Sequence, residues 1–220
     1  MRAGGQAMRP SDPHRGQPIL SAGAPLERAR AALVCLHGRG ASAEDILGLA
    51  EALDVPDLAC LAPEAAGNTW YPRRFLEPTA TNEPWLSSAL GVVASILDHL
   101  AENGFPPERV ALIGFSQGAC LALEHAARNP RRYGAVVGLS GGLIGTDAEL
   151  SHAGDLAGTP VFLGCSDVDF HIPKERVERT AEVFAALGAE VTVRLYPGMG
   201  HLVNEDEVLV TRGILGAIGG

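Results

Sequence analysis

Ser116 has the clearest chemical setting in this chain. It stands in Gly114-Phe115-Ser116-Gln117-Gly118, a G-x-S-x-G pattern, between the apolar run 109–114 and the helix-forming stretch 117–127. A strand, a sharp turn and a helix start form the context in which this pattern lifts a serine hydroxyl above the edge of a sheet. The two glycines have a steric reason, because a serine in so tight a turn needs neighbours without a Cβ. The following helix aims its first N–H groups, and the positive end of its dipole, at any oxyanion formed beside the serine. The pattern alone arises by chance, and it recurs here as Gly138-Leu139-Ser140-Gly141-Gly142. The residues after Ser140 do not start a helix. Ser140 therefore reads as a loop residue after a core strand, and Ser116 as the nucleophile.

A serine hydroxyl needs a general base, and the base needs an orienting carboxylate. In open α/β sheets, functional groups gather beyond the carboxyl ends of the strands. Two segments there supply candidates. After the strand-like run 160–165 comes Ser166-Asp167-Val168-Asp169-Phe170-His171, and after 190–196 comes Pro197-Gly198-Met199-Gly200-His201. The glycines around Met199 suit a histidine that must reach over the sheet edge. Ser116, Asp169 and His201 then follow the serine–acid–histidine order of the α/β-hydrolases. The rivals are His171 as base, which would leave His201 without a role, and Asp167 as acid. Asp167, Asp169 and His171 also alternate, as metal ligands on an extended chain would, but no other cluster completes such a site. For the oxyanion, one N–H should come from Gln117, directly after the nucleophile. The second should come from the turn His37-Gly38-Arg39-Gly40, through the main chain of Arg39.

These groups require a sheet to hold them. Residues 31–36 are continuously apolar, as expected of a central strand covered on both faces. Further strands are predicted at 17–26, 57–62, 109–114, 134–139, 160–165 and 190–196. Helices are predicted after the capping-box pair Ser42 and Asp45, over 85–103, along Val177-Ala181-Phe184-Leu187, and after Asn204 and Glu207. Strands alternate with helices, which predicts a mainly parallel sheet with helices on both faces. One long irregular segment runs from Pro63 to Pro84 and carries Trp70, Tyr71 and Phe75, with Trp85 at its end. A loop of that length in a compact domain is usually functional. These four aromatics are the expected wall or lid of a substrate pocket; the alternative is a loop packed on its own side chains.

The 220 residues suit one α/β domain over 17–220, behind a flexible extension at 1–16 in which Met8 offers a second start. A net charge of −9 argues against a nucleic-acid partner. No apolar run is long enough for a membrane span, and the N-terminus has no apolar signal region. Cys35, Cys60, Cys120 and Cys165 lack metal-ligand spacing and read as buried free thiols of a cytoplasmic protein.

Taken together, these motifs resemble the phospholipase/carboxylesterase family, which includes small bacterial carboxylesterases, lysophospholipases and acyl-protein thioesterases. The resemblance rests on His37-Gly38-Arg39-Gly40, Gly114-Phe115-Ser116-Gln117-Gly118-Ala119, Ser140-Gly141-Gly142, Asp169 with Ile172-Pro173, and Gly198-Met199-Gly200-His201, and covers roughly residues 17–218. It implies an α/β-hydrolase fold without a large cap domain, the triad Ser116, Asp169 and His201, and oxyanion donors at Arg39 and Gln117. It makes a homodimer plausible. The triad chemistry itself needs no metal or organic cofactor. Phe170 departs from the family, which often has proline directly after the acid. Asn68-Thr69-Trp70-Tyr71-Pro72 resembles a bacterial esterase branch rather than the lipid-specialised thioesterases. The expected activity is hydrolysis of small or short-acyl carboxylic esters. The alternatives are a lysophospholipase or acyl thioesterase using the same triad, and a non-catalytic small-molecule receptor on the same fold.

Overall fold

The computed structural model describes residues 12–219. The strands are β1 (Ile19–Gly23), β2 (Ala31–Leu36), β3 (Leu58–Pro63), β4 (Val110–Phe115), β5 (Ala135–Leu139), β6 (Pro160–Ser166) and β7 (Glu190–Tyr196). The helices are α1 (Ala43–Leu53), α2 (Trp85–Glu102), α3 (Gln117–Arg128), α4 (Lys174–Ala186) and α5 (Glu205–Gly216). One sheet runs in the order β1-β3-β2-β4-β5-β6-β7. Only β1 is antiparallel to its neighbour.

The sequence explains this layering. β2 through β6 are buried almost throughout, so both faces of the central sheet are apolar and need cover. Alternate residues serve alternate faces. Leu33, Cys35 and Ile113 pack with α1 and α5, whereas Val34, Leu36 and Leu112 pack with α2, α3 and α4. At the edges, β1 alternates between exposed and half-buried residues, and β7 has exposed and half-buried residues only. The two predicted capping boxes form: Ser42 with Asp45 opens α1, and Asn204 with Glu207 opens α5.

The predicted extension at 1–16 is corrected at its inner end. His14 is 2% exposed. Its Nε2–H donates to the Trp70 carbonyl at 2.9 Å, and its Nδ1 accepts the Ala66 N–H at 3.1 Å. This pairing needs the neutral ring, and burial pushes the His14 pKa down accordingly. A single histidine makes the contact, so no apolar periodicity announces it. Residues 1–11 of the predicted extension, with Met8, lie outside the described residues.

Parallel pairing brings the functional turns to one edge. Leu36 lies beside Gly114, Phe115 beside Leu139, and Ser166 beside Tyr196. The segments after β2, β4, β6 and β7 therefore emerge together.

Candidate active site

Ser116 joins β4 to α3 with φ 55° and ψ −118°. Such backbone costs a non-glycine residue about 1–3 kcal/mol and persists only where neighbours enforce it. Here the Ser116 N–H donates to the Leu139 carbonyl at 2.9 Å, and the Ser116 carbonyl accepts the Cys120 N–H at 3.0 Å. The flanking glycines make the turn sterically possible. A Cβ on Gly118 would lie 2.0 Å from the Leu36 carbonyl oxygen, and one on Gly114 would lie 2.3 Å from the Gly118 carbonyl.

The serine Oγ lies 2.9 Å from His201 Nε2, and His201 Nδ1 lies 2.6 Å from Asp169 Oδ2. Asp169 is buried at 6% exposure. Its other oxygen, Oδ1, accepts the N–H groups of His171 and Ile172 at 2.8 and 3.1 Å. Burial works to raise the Asp169 pKa, but the His201 and backbone hydrogen bonds outweigh it, and the net shift is downward. An ionised carboxylate only accepts, so it draws the imidazole proton to Nδ1 and leaves the Nε2 lone pair facing the serine.

Two neighbouring acceptors hold the histidine loop. Asp167 Oδ1 accepts the Gly198 N–H at 2.8 Å, and Ser166 Oγ accepts the Gly200 N–H at 3.1 Å. Gly198 and Gly200 have φ of 65° and 81°, which glycine adopts freely. Asp167 and Asp169 thus face different partners and do not converge as metal ligands. The His171 ring is exposed and meets His201 edge-on at 4.9 Å between centroids, outside the serine–histidine–aspartate line. Phe170, in the place of the expected proline, is 77% exposed and packs on His171. Ser140 is fully buried under the sheet edge.

The turn after β2 lies against the nucleophile. A Cβ on Gly38 would sit 3.5 Å from the Ser116 Cβ. His37 fixes this turn: its Nδ1–H donates to the Gly38 carbonyl at 2.8 Å, and its Nε2 accepts the Ala65 N–H at 3.1 Å. Holding that carbonyl orients the whole Gly38–Arg39 peptide plane, and with it the Arg39 N–H at the opposite end. Among the described residues, neither the Arg39 nor the Gln117 backbone N–H has a hydrogen-bond acceptor.

A cleft of about 640 Å³ opens above Ser116 and His201. Phe75 and Ile172 supply its apolar surface, the fully buried Tyr71 and Cys120 close it beneath, and Arg73 and Arg74 stand on its wall. Trp70 and Trp85 do not line it, which corrects the expectation for half of the aromatic set. Trp70 is fully buried behind the wall, with its indole N–H on the His37 carbonyl at 2.9 Å. Trp85 starts α2 and meets His14 edge-on. Aromatic composition carries no information on which rings of this segment face inward.

Known proteins share the fold of this chain. The Phospholipase/Carboxylesterase family model matches residues 19–212. The crystal structure of a phospholipase/carboxylesterase from Dyadobacter fermentans superposes with a TM-score of 0.87 at 39% identity, covering 91% of this chain and 97% of that one. Acyl-protein thioesterase 1 of Saccharomyces cerevisiae is 26% identical over 216 residues, 86% of this chain and 93% of that protein. The acyl-protein thioesterase 1 of Gibberella zeae is 32% identical over 117 residues, 52% of this chain and only 50% of that protein. The matched span runs from β1 into α5 and takes in every turn on the functional edge, and on that ground the chain belongs to the phospholipase/carboxylesterase family of α/β-hydrolases.

Proposed function

We propose that the protein is a serine esterase acting on small or short-acyl carboxylic esters, with Ser116 as nucleophile, His201 as general base and Asp169 as its orienting carboxylate. The observation that carries this reading is the continuous hydrogen-bond line from Ser116 Oγ through the His201 ring to the buried Asp169. In the first half-reaction Ser116 Oγ bonds to the ester carbonyl carbon and passes its proton to His201 Nε2. The C–O bond to the leaving alcohol then breaks, and the alcohol takes that proton. In the second half-reaction water attacks the acyl-enzyme carbonyl carbon and gives a proton to His201 Nε2; the Ser116–acyl bond then breaks, Ser116 Oγ takes that proton back, and the acid is released. The oxyanion of each tetrahedral intermediate would accept the N–H groups of Arg39 and Gln117, a contribution typically worth about 100- to 1,000-fold in rate per donor. The residues supply all of these roles without a cofactor.

The cleft lining favours compact substrates. Three arginines and Glu77 share its lining with a few apolar side chains, unlike the continuous apolar channel that suits a long acyl chain. The similarity to proteins named acyl-protein thioesterase supports a second reading, thioester cleavage by the same residues. We place the protein in the cytoplasm, because Cys35, Cys60, Cys120 and Cys165 are all buried free thiols. No helix of the described residues is long and apolar enough to cross a membrane.

Ser116→Ala should abolish both turnover of p-nitrophenyl acetate and labelling by a fluorophosphonate; retention of either would sink the assignment. A burst without turnover in the unsubstituted protein would point instead to a binding protein. A series from acetyl to palmitoyl esters and thioesters separates the two enzyme readings by chain length and leaving atom.

A further inference from the structure

The cleft wall carries more positive charge than hydrolysis of a neutral ester requires. The chain as a whole is acidic, with 17 Lys and Arg against 26 Asp and Glu. Yet Arg39, Arg73 and Arg74 all line the space above Ser116. Among the described residues, none of the three has a carboxylate within ion-pair distance. Arg39 donates to the carbonyls of Tyr71, Pro72 and Arg73, which occupies its N–H groups and leaves its charge uncancelled. The acidic groups nearby are Glu77, the one carboxylate on the cleft lining, and Asp169, which is buried behind His201.

The backbone that presents these arginines is fixed. The fully buried Asn82 accepts the Arg73 N–H at 2.8 Å and donates to the Arg74 carbonyl at 3.3 Å. Phe75, the next residue, accepts the Gly145 N–H through its carbonyl at 2.7 Å. The Arg73 and Arg74 side chains are therefore held at the rim while their own heads stay exposed. A cationic rim over an apolar, low-dielectric base concentrates anions. Guanidinium groups match the planar geometry of a carboxylate.

We infer that the cleft selects esters bearing a free carboxylate, which Arg73 and Arg74 receive at the rim while the apolar part lies on Phe75 and Ile172. This inference deepens the esterase reading and rests on it. The carboxylate sits away from the reacting carbonyl and takes no part in bond making.

Matched substrate pairs test it. Mono-4-nitrophenyl adipate and its methyl ester differ in charge on the acyl side; 4-acetoxybenzoate and its methyl ester differ on the leaving-group side. In at least one pair kcat/KM should favour the acid about tenfold at low salt. That ratio should shrink between about 0.02 M and about 0.5 M NaCl as the charges are screened. In the Arg73→Gln, Arg74→Gln double variant the same ratio should fall to about one. The substitutions leave the backbone hydrogen bonds in place, and circular dichroism and fluorophosphonate labelling report that the fold and the nucleophile are intact. Neutral esters hydrolysed with no preference for the acid, or a preference that survives the double substitution, would overturn the inference and leave the esterase reading standing. Failure to hydrolyse any of the four compounds, together with no fluorophosphonate labelling, would overturn both.

Discussion

Arg39 Nη2 and Gln117 Nε2 donate to the same acceptor, the Tyr71 carbonyl, each at 2.8 Å. The backbone N–H groups of both residues have no acceptor among the described residues. Their side chains therefore tie the proposed oxyanion site to the cleft wall. Gln117 adds a second bond, since its Oε1 accepts the Trp70 N–H at 2.9 Å. Gln117→Ala leaves that buried N–H without a partner, which should cost about 1–3 kcal/mol. It should also lower kcat/KM for p-nitrophenyl acetate about tenfold, because small displacements of positioned groups are expensive in rate. Urea unfolding and steady-state kinetics check the two effects. Lost stability with unchanged kcat/KM would show that wall and oxyanion site are not coupled.

The glycines of this chain are not equivalent. A Cβ on Gly118 would collide with the Leu36 carbonyl at 2.0 Å, and neither backbone element can yield without opening the crossing of α3 over β2. Gly118→Ala should cost more than about 3 kcal/mol, beyond the usual range for one substitution, or leave little folded protein. Gly48, on the exposed side of α1, meets nothing within 4 Å and has ordinary helical backbone. Gly48→Ala should instead stabilise by about 0.5–1 kcal/mol through helix propensity. Thermal melts of the two variants should move in opposite directions.

Asp167 and Asp169 stand two residues apart with different partners, so their substitutions should separate. Asp169→Asn would place an amide against His201 Nδ1 and favour the wrong tautomer, with a loss in kcat of about 10⁴-fold by analogy with other triads. Asp167→Asn weakens only the Gly198 N–H bond that steadies the histidine loop, and should cost about tenfold or less. Single-turnover kinetics of both variants decides the matter, and equal losses would contradict the division of roles.

Much of the site could be read from residue type because its parts obey strong local rules. The all-apolar run of β2 has few structural options. The boxes at Ser42–Asp45 and Asn204–Glu207 are short-range hydrogen-bond patterns that form as written. Once the strands are set, the turns after them must share an edge, and Ser116, Asp169 and His201 meet there. What could not be read depends on contacts between residues far apart in the chain. His14 reaches Trp70 across 56 positions, and no pattern around it signals burial. Trp70 turned inward because its indole N–H found the His37 carbonyl; Tyr71, its neighbour, lines the cleft. The side chains of Arg39 and Gln117 matter as much as their amides, and a reading centred on backbone donors had no reason to expect that.

Glu207 predicts a stability change with pH that is separate from the chemistry. It is fully buried at the start of α5, three residues after Asn204, whose N–H donates to its Oε2 at 2.8 Å. Its Oε1 has no hydrogen-bond partner and rests against Gly164, where a Cβ would come within 2.2 Å of it. Burial, opposed by the Asn204 hydrogen bond and aided by the Asp206 charge, pushes the pKa up to about 7 from an ordinary 4.5. Between those values the folded state binds the proton more tightly than the unfolded chain. Stability from this group is therefore greatest below the unfolded value and declines as pH rises through about 7. Glu207→Gln keeps an oxygen for the Asn204 N–H and cannot ionise. The variant should melt at a higher temperature than the parent at about pH 8, and lose that advantage at about pH 5. A melting difference that stays constant across the range would mean that Glu207 does not titrate in this window.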